Sequence, residues 1–136
     1  MFIAKEDLPY DADLQTIILN TEIAAGIEIP DARYKDWFPN FTLGDLICDD
    51  TATGLIVVGN KVDPLDIDAF AHVQLNLYKD EELIATGDSS EVLGNPLNAV
   101  LWLIKKLHSH GKQIKKGQVI SSGTFISPLK LEYGTY

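Results

Sequence analysis

Asn95-Pro96-Leu97-Asn98-Ala99-Val100-Leu101-Trp102-Leu103-Ile104-Lys105-Lys106-Leu107-His108 is the stretch whose reading decides the fold. Asn95 is a good helix N-cap, and Pro96 suits the first helical position, where its missing N–H is not needed. Leu97, Val100, Leu101, Ile104 and Leu107 recur at helical spacing and form one apolar stripe. Lys105, Lys106 and His108 lie at the end where the helix dipole favours positive charge, and Gly111 closes the element. His108 and His110 are two residues apart, so they do not share a helical face and read as helix-end residues, not a metal pair.

Upstream, the period changes from helical to alternating. From Phe70 to Tyr78, His72, Gln74 and Asn76 fall on one side and Val73, Leu75 and Leu77 on the other. Lys79-Asp80-Glu81-Glu82 turns the chain into Leu83-Ile84-Ala85-Thr86-Gly87, which predicts a β-hairpin with His72 as a surface strand residue. Downstream, Lys116-Gly117-Gln118 is a turn into a strand over Val119-Ile120-Ser121-Ser122-Gly123-Thr124, and Leu129 to Tyr133 starts another. Towards the amino terminus, Phe2 to Lys5 reads as a short strand. Asp11 or Asp13 caps a helix carrying Leu14, Ile17 and Ile18. Ile23 to Ile29 reads as one strand. Residues 31–42 are irregular and aromatic, with Tyr34, Trp37, Phe38 and Phe41. Thr42 caps a short helix running to Asp50, and Gly54 to Gly59 is a β-branched strand. The sum is an α+β domain of short strands with one long helix.

At 136 residues the chain is expected to be one domain, 1–136, able to bury a core unaided. The net charge of −9 disfavours nucleic-acid binding, because an acidic surface repels phosphate. The late lysines, Lys105, Lys106, Lys112, Lys115 and Lys116, read as a solvated helix end and loop. No apolar run reaches the roughly 18 residues of a membrane helix, and the start lacks the pattern of a signal peptide. A cytoplasmic location without a membrane partner is therefore expected. One cysteine, Cys48, excludes an intramolecular disulfide and a cysteine-rich zinc site, and it reads as a small buried apolar residue.

Four places carry candidate chemistry. Glu28 interrupts the apolar run Gly26-Ile27-Glu28-Ile29-Pro30, so it either faces water or ligates a metal. Asp31 and Arg33 can pair or orient a neighbour. Asp45, Asp49 and Asp50 line an acidic stretch beside apolar residues. Ser121-Ser122-Gly123-Thr124 offers hydroxyls and a glycine where backbone N–H groups can face a carboxylate, or where an ordinary turn forms. There is no Ser/His/Asp triad, phosphate loop or dinucleotide fingerprint.

Several of these segments, in order, resemble the 2-keto-4-pentenoate hydratase and 4-oxalocrotonate decarboxylase family of the fumarylacetoacetate hydrolase superfamily. Gly26-Ile27-Glu28-Ile29-Pro30-Asp31-Ala32-Arg33 resembles its Ala-Leu-Glu-x-x-Asp-Ser/Ala-Arg. Leu43 to Asp50 resembles its x-x-Asp-x-x-Ala-Asp-Asn, with Asp50 in place of Asn. Val92 to Leu103 is similar to a Val-Leu-Gly-His/Asn-Pro-x-Asn-x-x-x-Trp-Leu segment. Gly117 to Thr124 is similar to Gly-Asp-x-Ile-x-x-Gly-Thr/Ser.

The resemblance implies a mixed β-roll with one long helix and short helices. It implies the carboxy-terminal part of such a protein, incomplete at both ends and without the family's Glu-x-Glu. It implies hydration or decarboxylation of short unsaturated 2-keto acids such as 2-hydroxypenta-2,4-dienoate, in aromatic catabolism. A Mg²⁺ or Mn²⁺ ion would chelate the keto acid and stabilise an enolate. By the same resemblance Glu28 is a metal ligand, Asp45 and Asp49 are catalytic, and Asp31, Arg33, Gly123 and Thr124 bind substrate. The expected partners are the small 2-keto acid and either further copies of the chain or a paralogue. The alternative is an inactive remnant or partner subunit of a full-length paralogue.

Overall fold

Phe2-Ile3-Ala4 is apolar on both faces. In the computed structural model it is the middle strand of a sheet, with all three side chains buried. The structure describes residues 1–36 and 39–136, in two compact units: Met1–Ile23 with Lys61–Tyr136, and Ala24–Asn60. The expectations for Trp37 and Phe38 lie outside the described residues.

In the first unit, β1 (Phe2–Ala4) pairs antiparallel with β2 (Thr21–Ile23) on one side and β7 (Val119–Ile120) on the other. Helix α1 (Leu14–Leu19) is capped by Asp13, whose carboxylate accepts the Thr16 N–H at 2.7 Å. Helix α3 (Pro96–His108) starts as read, with Asn95 accepting from the Leu97 N–H. It buries Leu97, Val100 and Ile104 against Ile17, Leu8 and Phe2, while Leu101 and Leu107 are partly buried against the same core. Phe70 stacks on Phe2 with ring centroids 5.5 Å apart. At the other end of β1, Lys115 pairs with Asp7 and Lys116 with Glu6, each at 2.8 Å. Two of the late lysines are therefore neutralised by the amino-terminal acids. His108 lies at the end of α3 against the Tyr10 ring, 4.3 Å between centroids.

The hairpin is present as β5 (Gln74–Lys79) and β6 (Glu82–Asp88), with Leu75 and Leu77 on the more covered face. Asp80 and Glu81 both have positive φ, 48° and 70°, the conformation a two-residue turn between twisted strands requires. The chain's last residues fold onto this turn. Asp80 N–H donates to the Thr135 carbonyl at 2.9 Å, and Lys79 bonds Glu132 at 2.9 Å.

Four readings are corrected in part. His72 ends a 3-10 turn, Ala69–His72, rather than starting a strand: sinking Phe70 into the core curls the backbone before the alternation begins at Gln74. The strand after Gln118 stops at Ile120, because β1 offers partners only to Val119 and Ile120. Residues 129–133 form no strand; Lys79 holds this segment through Glu132 instead. The run from Ile23 to Ile29 is two strands, since Ile23 pairs with Phe2 and bridges Val62, whereas the chain from Gly26 onwards takes a different partner.

That partner defines the second unit. Here β3 (Gly26–Ile29) pairs antiparallel with β4 (Leu55–Val58), Glu28 opposite Ile56. Gly54 precedes β4 where a Cβ would lie 2.2 Å from the Ile29 carbonyl oxygen, a contact only glycine allows. Helix α2 (Leu43–Cys48) is capped by Thr42 with a full capping box. It buries no side chain, and Cys48 is exposed, contrary to the buried residue expected, because this short helix presents no covered face. Ile27, Leu55, Ile56 and Val57 are also exposed, so the small sheet shows apolar side chains on both faces.

Candidate functional site

Arg33 leaves β3 by way of Asp31 and meets the end of α2. Its backbone N–H donates to both carboxylate oxygens of Asp49, at 3.3 and 3.4 Å. One guanidinium nitrogen, Nη1, donates to the Asp49 carbonyl at 2.9 Å, to its carboxylate at 3.4 Å and to the Asp31 carbonyl at 3.5 Å. The other, Nη2, donates to the Thr53 carbonyl. The Asp49 side chain is only 8% exposed, so this carboxylate is held and largely screened from water.

Between the Asp49 and Thr53 carbonyls, both held by Arg33, lie Asp50, Thr51 and Ala52, all with φ near +55°. A non-glycine residue in this conformation costs on the order of 1–2 kcal/mol. Arg33 offsets that strain from outside the turn. From within, the Thr51 and Thr53 hydroxyls donate to the Asp50 carbonyl at 2.7 and 2.5 Å, and Asp31 N–H donates to the Ala52 carbonyl at 2.9 Å. Asp31 thus contributes through its backbone.

Asp45 serves the start of α2. It accepts from the Thr42 backbone N–H at 2.8 Å and from the Thr42 hydroxyl at 2.7 Å. These bonds, the backbone one foremost, hold its carboxyl below the usual carboxylate range, so it stays ionised at neutral pH. Tyr34 is a residue sequence reasoning did not single out. Its hydroxyl is shielded from solvent and has no hydrogen-bond partner among the described residues. Burial, and then the nearby Asp45 and Asp49 carboxylates, push its ionisation upward, so it remains a neutral phenol. Only the aromatic run around it hinted at a role.

Glu28 lies in β3 and is exposed, and among the described residues its side chain has no ion-pair or hydrogen-bond partner. It is the side chain that the resemblance assigns to a metal. A hard divalent cation takes about six oxygens, several of them from the protein when bound firmly. Among the described residues no three His, Cys, Asp or Glu side chains come together to hold one. The donor set does not fit a metal site made by these residues alone.

Gly123 and Thr124 belong to the first unit. Gly123 has φ +126° and packs on Val92, where an added Cβ would come within 3.3 Å. The Thr124 hydroxyl donates to the Ile126 carbonyl at 2.9 Å and accepts from the Ile126 N–H at 3.3 Å, a local turn that ties up its hydrogen-bonding groups. Thr124 borders a shallow groove of about 690 Å³ along β6, with Thr86, Asp88, Glu91 and Ser127 as its polar wall. No basic side chain lines it. Asp88 is kept ionised chiefly by the Ser90 hydroxyl and then by the Ser90 backbone N–H. The second unit therefore joins Asp31, Arg33 and Asp49 closely, with Tyr34 near the Asp45 and Asp49 charges, and the first unit carries a groove at Thr124. No described helix is long and apolar enough to cross a membrane.

No protein-family model matches the chain. A 2-keto-4-pentenoate hydratase of Burkholderia vietnamiensis (strain G4 / LMG 22486) is 35% identical over 100 residues, covering 73% of the chain and 37% of that protein. The 2-hydroxyhexa-2,4-dienoate hydratase of Comamonas testosteroni is 32% identical over 131 residues, 94% of the chain and 48% of the relative. Among solved structures, 4-oxalocrotonate decarboxylase from Pseudomonas putida G7, complexed with calcium and acetate, superposes with TM-score 0.71 at 22% identity. That match covers 91% of the chain and 47% of the decarboxylase. The same enzyme complexed with magnesium and adipate gives TM-score 0.69. The likeness read from the sequence is borne out, and the chain spans about half or less of the length of these proteins.

Proposed function

We propose that this chain, a relative of the 2-keto-4-pentenoate hydratases along most of its length, works in the hydration or decarboxylation of short unsaturated 2-keto acids such as 2-hydroxypenta-2,4-dienoate. The setting would be the catabolism of aromatic compounds in the cytoplasm. The observation that carries this is the 32% identity with a dienoate hydratase over 131 residues, which includes Glu28, the Arg33–Asp49 region and the Gly123-Thr124 corner. The superposition on the decarboxylase supports the finer architecture, a fumarylacetoacetate hydrolase-like mixed β-roll.

Both reactions need a proton moved at a conjugated acid, and neither needs an oxidant. Hydration adds the hydrogen and hydroxyl of one water; decarboxylation leaves an electron pair on carbon that takes up a proton. Asp45, held ionised by Thr42, is a proton acceptor of low basicity, which suits it to orient a water more than to deprotonate a carbon acid. Asp49 is oriented by Arg33. Tyr34, neutral and with no partner for its hydroxyl among the described residues, can donate to a developing oxyanion. Arg33 is mostly engaged by backbone carbonyls and Asp49, which supports a role in fixing that carboxylate more than in gripping a substrate carboxylate. At the groove, Gly123 and Thr124 remain the proposed substrate-binding corner. Its acidic wall would repel a bare carboxylate, so the acid would have to arrive with a countercharge. The solved decarboxylase was complexed with magnesium or calcium, and a Mg²⁺ or Mn²⁺ requirement belongs to the same reading. The described residues do not bring together a full ligand set for it.

A chimera tests the proposal: this chain in place of the 131 residues it matches in the Comamonas testosteroni hydratase. With Mn²⁺ the chimera is expected to turn over 2-hydroxyhexa-2,4-dienoate, and Glu28→Gln to abolish this. A chimera that folds but shows no turnover contradicts the proposal. The ligand deficit at Glu28 favours a second reading, in which the chain acts as a partner subunit, with further copies of itself or with a paralogue.

A further inference from the structure

We infer that residues 125–129 are the specificity wall of the groove at Thr124, and that this wall selects an acid by its hydrocarbon tail and not by its carboxylate. The inference rests on the functional reading above and names the part of the substrate that this corner reads.

Residues 124–129 all line the groove, and two anchors set where they lie. The first is on β6, where the Phe125 backbone and the Ile126 side chain sit directly over Gly87, too close for any Cβ there. The second is a clasp on the β5–β6 turn. Lys79 bonds Glu132 at 2.9 Å, Asp80 N–H donates to the Thr135 carbonyl at 2.9 Å, and Thr135 N–H donates to the Asp80 carboxylate at 2.8 Å. Between the anchors, residues 127–131 make no hydrogen bond among the described residues, and Leu129 is 51% exposed. The wall is thus a strap fixed at its ends, with its own surface left for a ligand. Charge decides which part of an acid can lie against it. Asp88 and Glu91 line the groove without a basic side chain, and like charge repels a bare carboxylate. The Thr124 hydroxyl is already bonded on both sides to the Ile126 backbone. What the groove offers is apolar lining from Ala85, Phe125, Ile126 and Leu129. Apolar contact strengthens with the area covered, so a longer hydrocarbon tail is held better than a short one.

The test is amide exchange of the 136-residue chain, read at Asp80, Ile126, Glu132 and Thr135, with hexa-2,4-dienoate or acetate added at matched ionic strength. The six-carbon acid is expected to slow these amides, by about twofold at half saturation, while acetate leaves them unchanged. Leu129→Ala is expected to diminish the slowing without moving the midpoint of urea unfolding. Glu132→Gln is expected to speed exchange at Asp80 and Thr135 by about twofold to fivefold, the size of an exposed ion pair, and to weaken the response to the six-carbon acid. Rates indifferent to hexa-2,4-dienoate, equal slowing by acetate, or a full response in Leu129→Ala each overturn the inference. A silent chimera alongside a tail-dependent response would overturn the functional reading and not the tail recognition. An active chimera whose strap ignores the six-carbon acid would do the reverse.

Discussion

Tyr34 carries a hydroxyl that is shielded and makes no hydrogen bond among the described residues. Leaving such a group unsatisfied costs about 1–3 kcal/mol relative to an apolar replacement. Tyr34→Phe should therefore leave the midpoint of urea unfolding unchanged or raise it. A clear fall would mean that the hydroxyl has a partner. The titrating residues give the pH dependence. The carboxyls of Asp7, Asp13, Asp45, Asp88 and Glu132 are held low by hydrogen bonds: foremost from the Lys115 side chain, the Thr16 hydroxyl, the Thr42 backbone N–H, the Ser90 hydroxyl and the Lys79 side chain. Groups lowered on folding stabilise above their unfolded values, near 4, and lose that contribution as pH falls through their folded values. Tyr34 and Lys79 are raised, by burial and by the Glu132 hydrogen bond respectively. Their contribution is present below their unfolded values, near 10, and is lost as pH rises through the folded ones. Thermal midpoints should thus be flat near neutrality and fall below about pH 4 and above about pH 10. In Tyr34→Phe the alkaline fall should be shallower. At this scale the sequence was informative where bonding is local. Thr42 and Asn95 read directly as caps, since a cap's partner is two or three residues away. The hold of Arg33 on Asp49 and Thr53 was not legible, because it depends on how a loop returns sixteen to twenty residues later. Neither was the orphan hydroxyl.

Among the elements, α3 and the β5–β6 hairpin were the most legible, because each has a sustained period and a recognisable end. The run from Ile23 to Ile29 misled. Apolar composition continues through it, but the pairing partner changes, and no residue at 24 or 25 marks the break. His72 misled for a related reason. Alternation persists in the sequence while Phe70 pulls the backbone out of the strand to reach Phe2. Gly87 shows how an element constrains a loop. A Cβ there would lie 2.2 Å from the Phe125 carbonyl oxygen and 2.8 Å from an Ile126 methyl. Gly87→Ala should lower the unfolding free energy by about 1–3 kcal/mol and loosen residues 123–129, read as faster amide exchange there. An unchanged midpoint with unchanged exchange would show that the loop does not lie on β6 as described. Because the same loop carries Thr124, the variant also links strand packing to the groove.

For the molecule as a whole, the two units differ in how they are held together. The first has a core built around Phe2, Leu8, Ile17, Leu97 and Val100. In the second, among the described residues, only Ala24 and Ala52 are buried apolar side chains. The acidic balance and general class were readable from composition, and the family likeness from motifs. That Glu28 could face water was readable from its place in an apolar run, but that no other ligating trio forms among the described residues needed coordinates. On the proposed reading, this chain takes part in keto-acid chemistry that its described residues do not complete on their own. The most direct measurement is Mn²⁺-dependent turnover of 2-hydroxyhexa-2,4-dienoate by the isolated chain and by the chimera, side by side. Turnover is expected in the chimera and none above background in the chain alone. Comparable turnover by both, or a folded but inactive chimera, would contradict it.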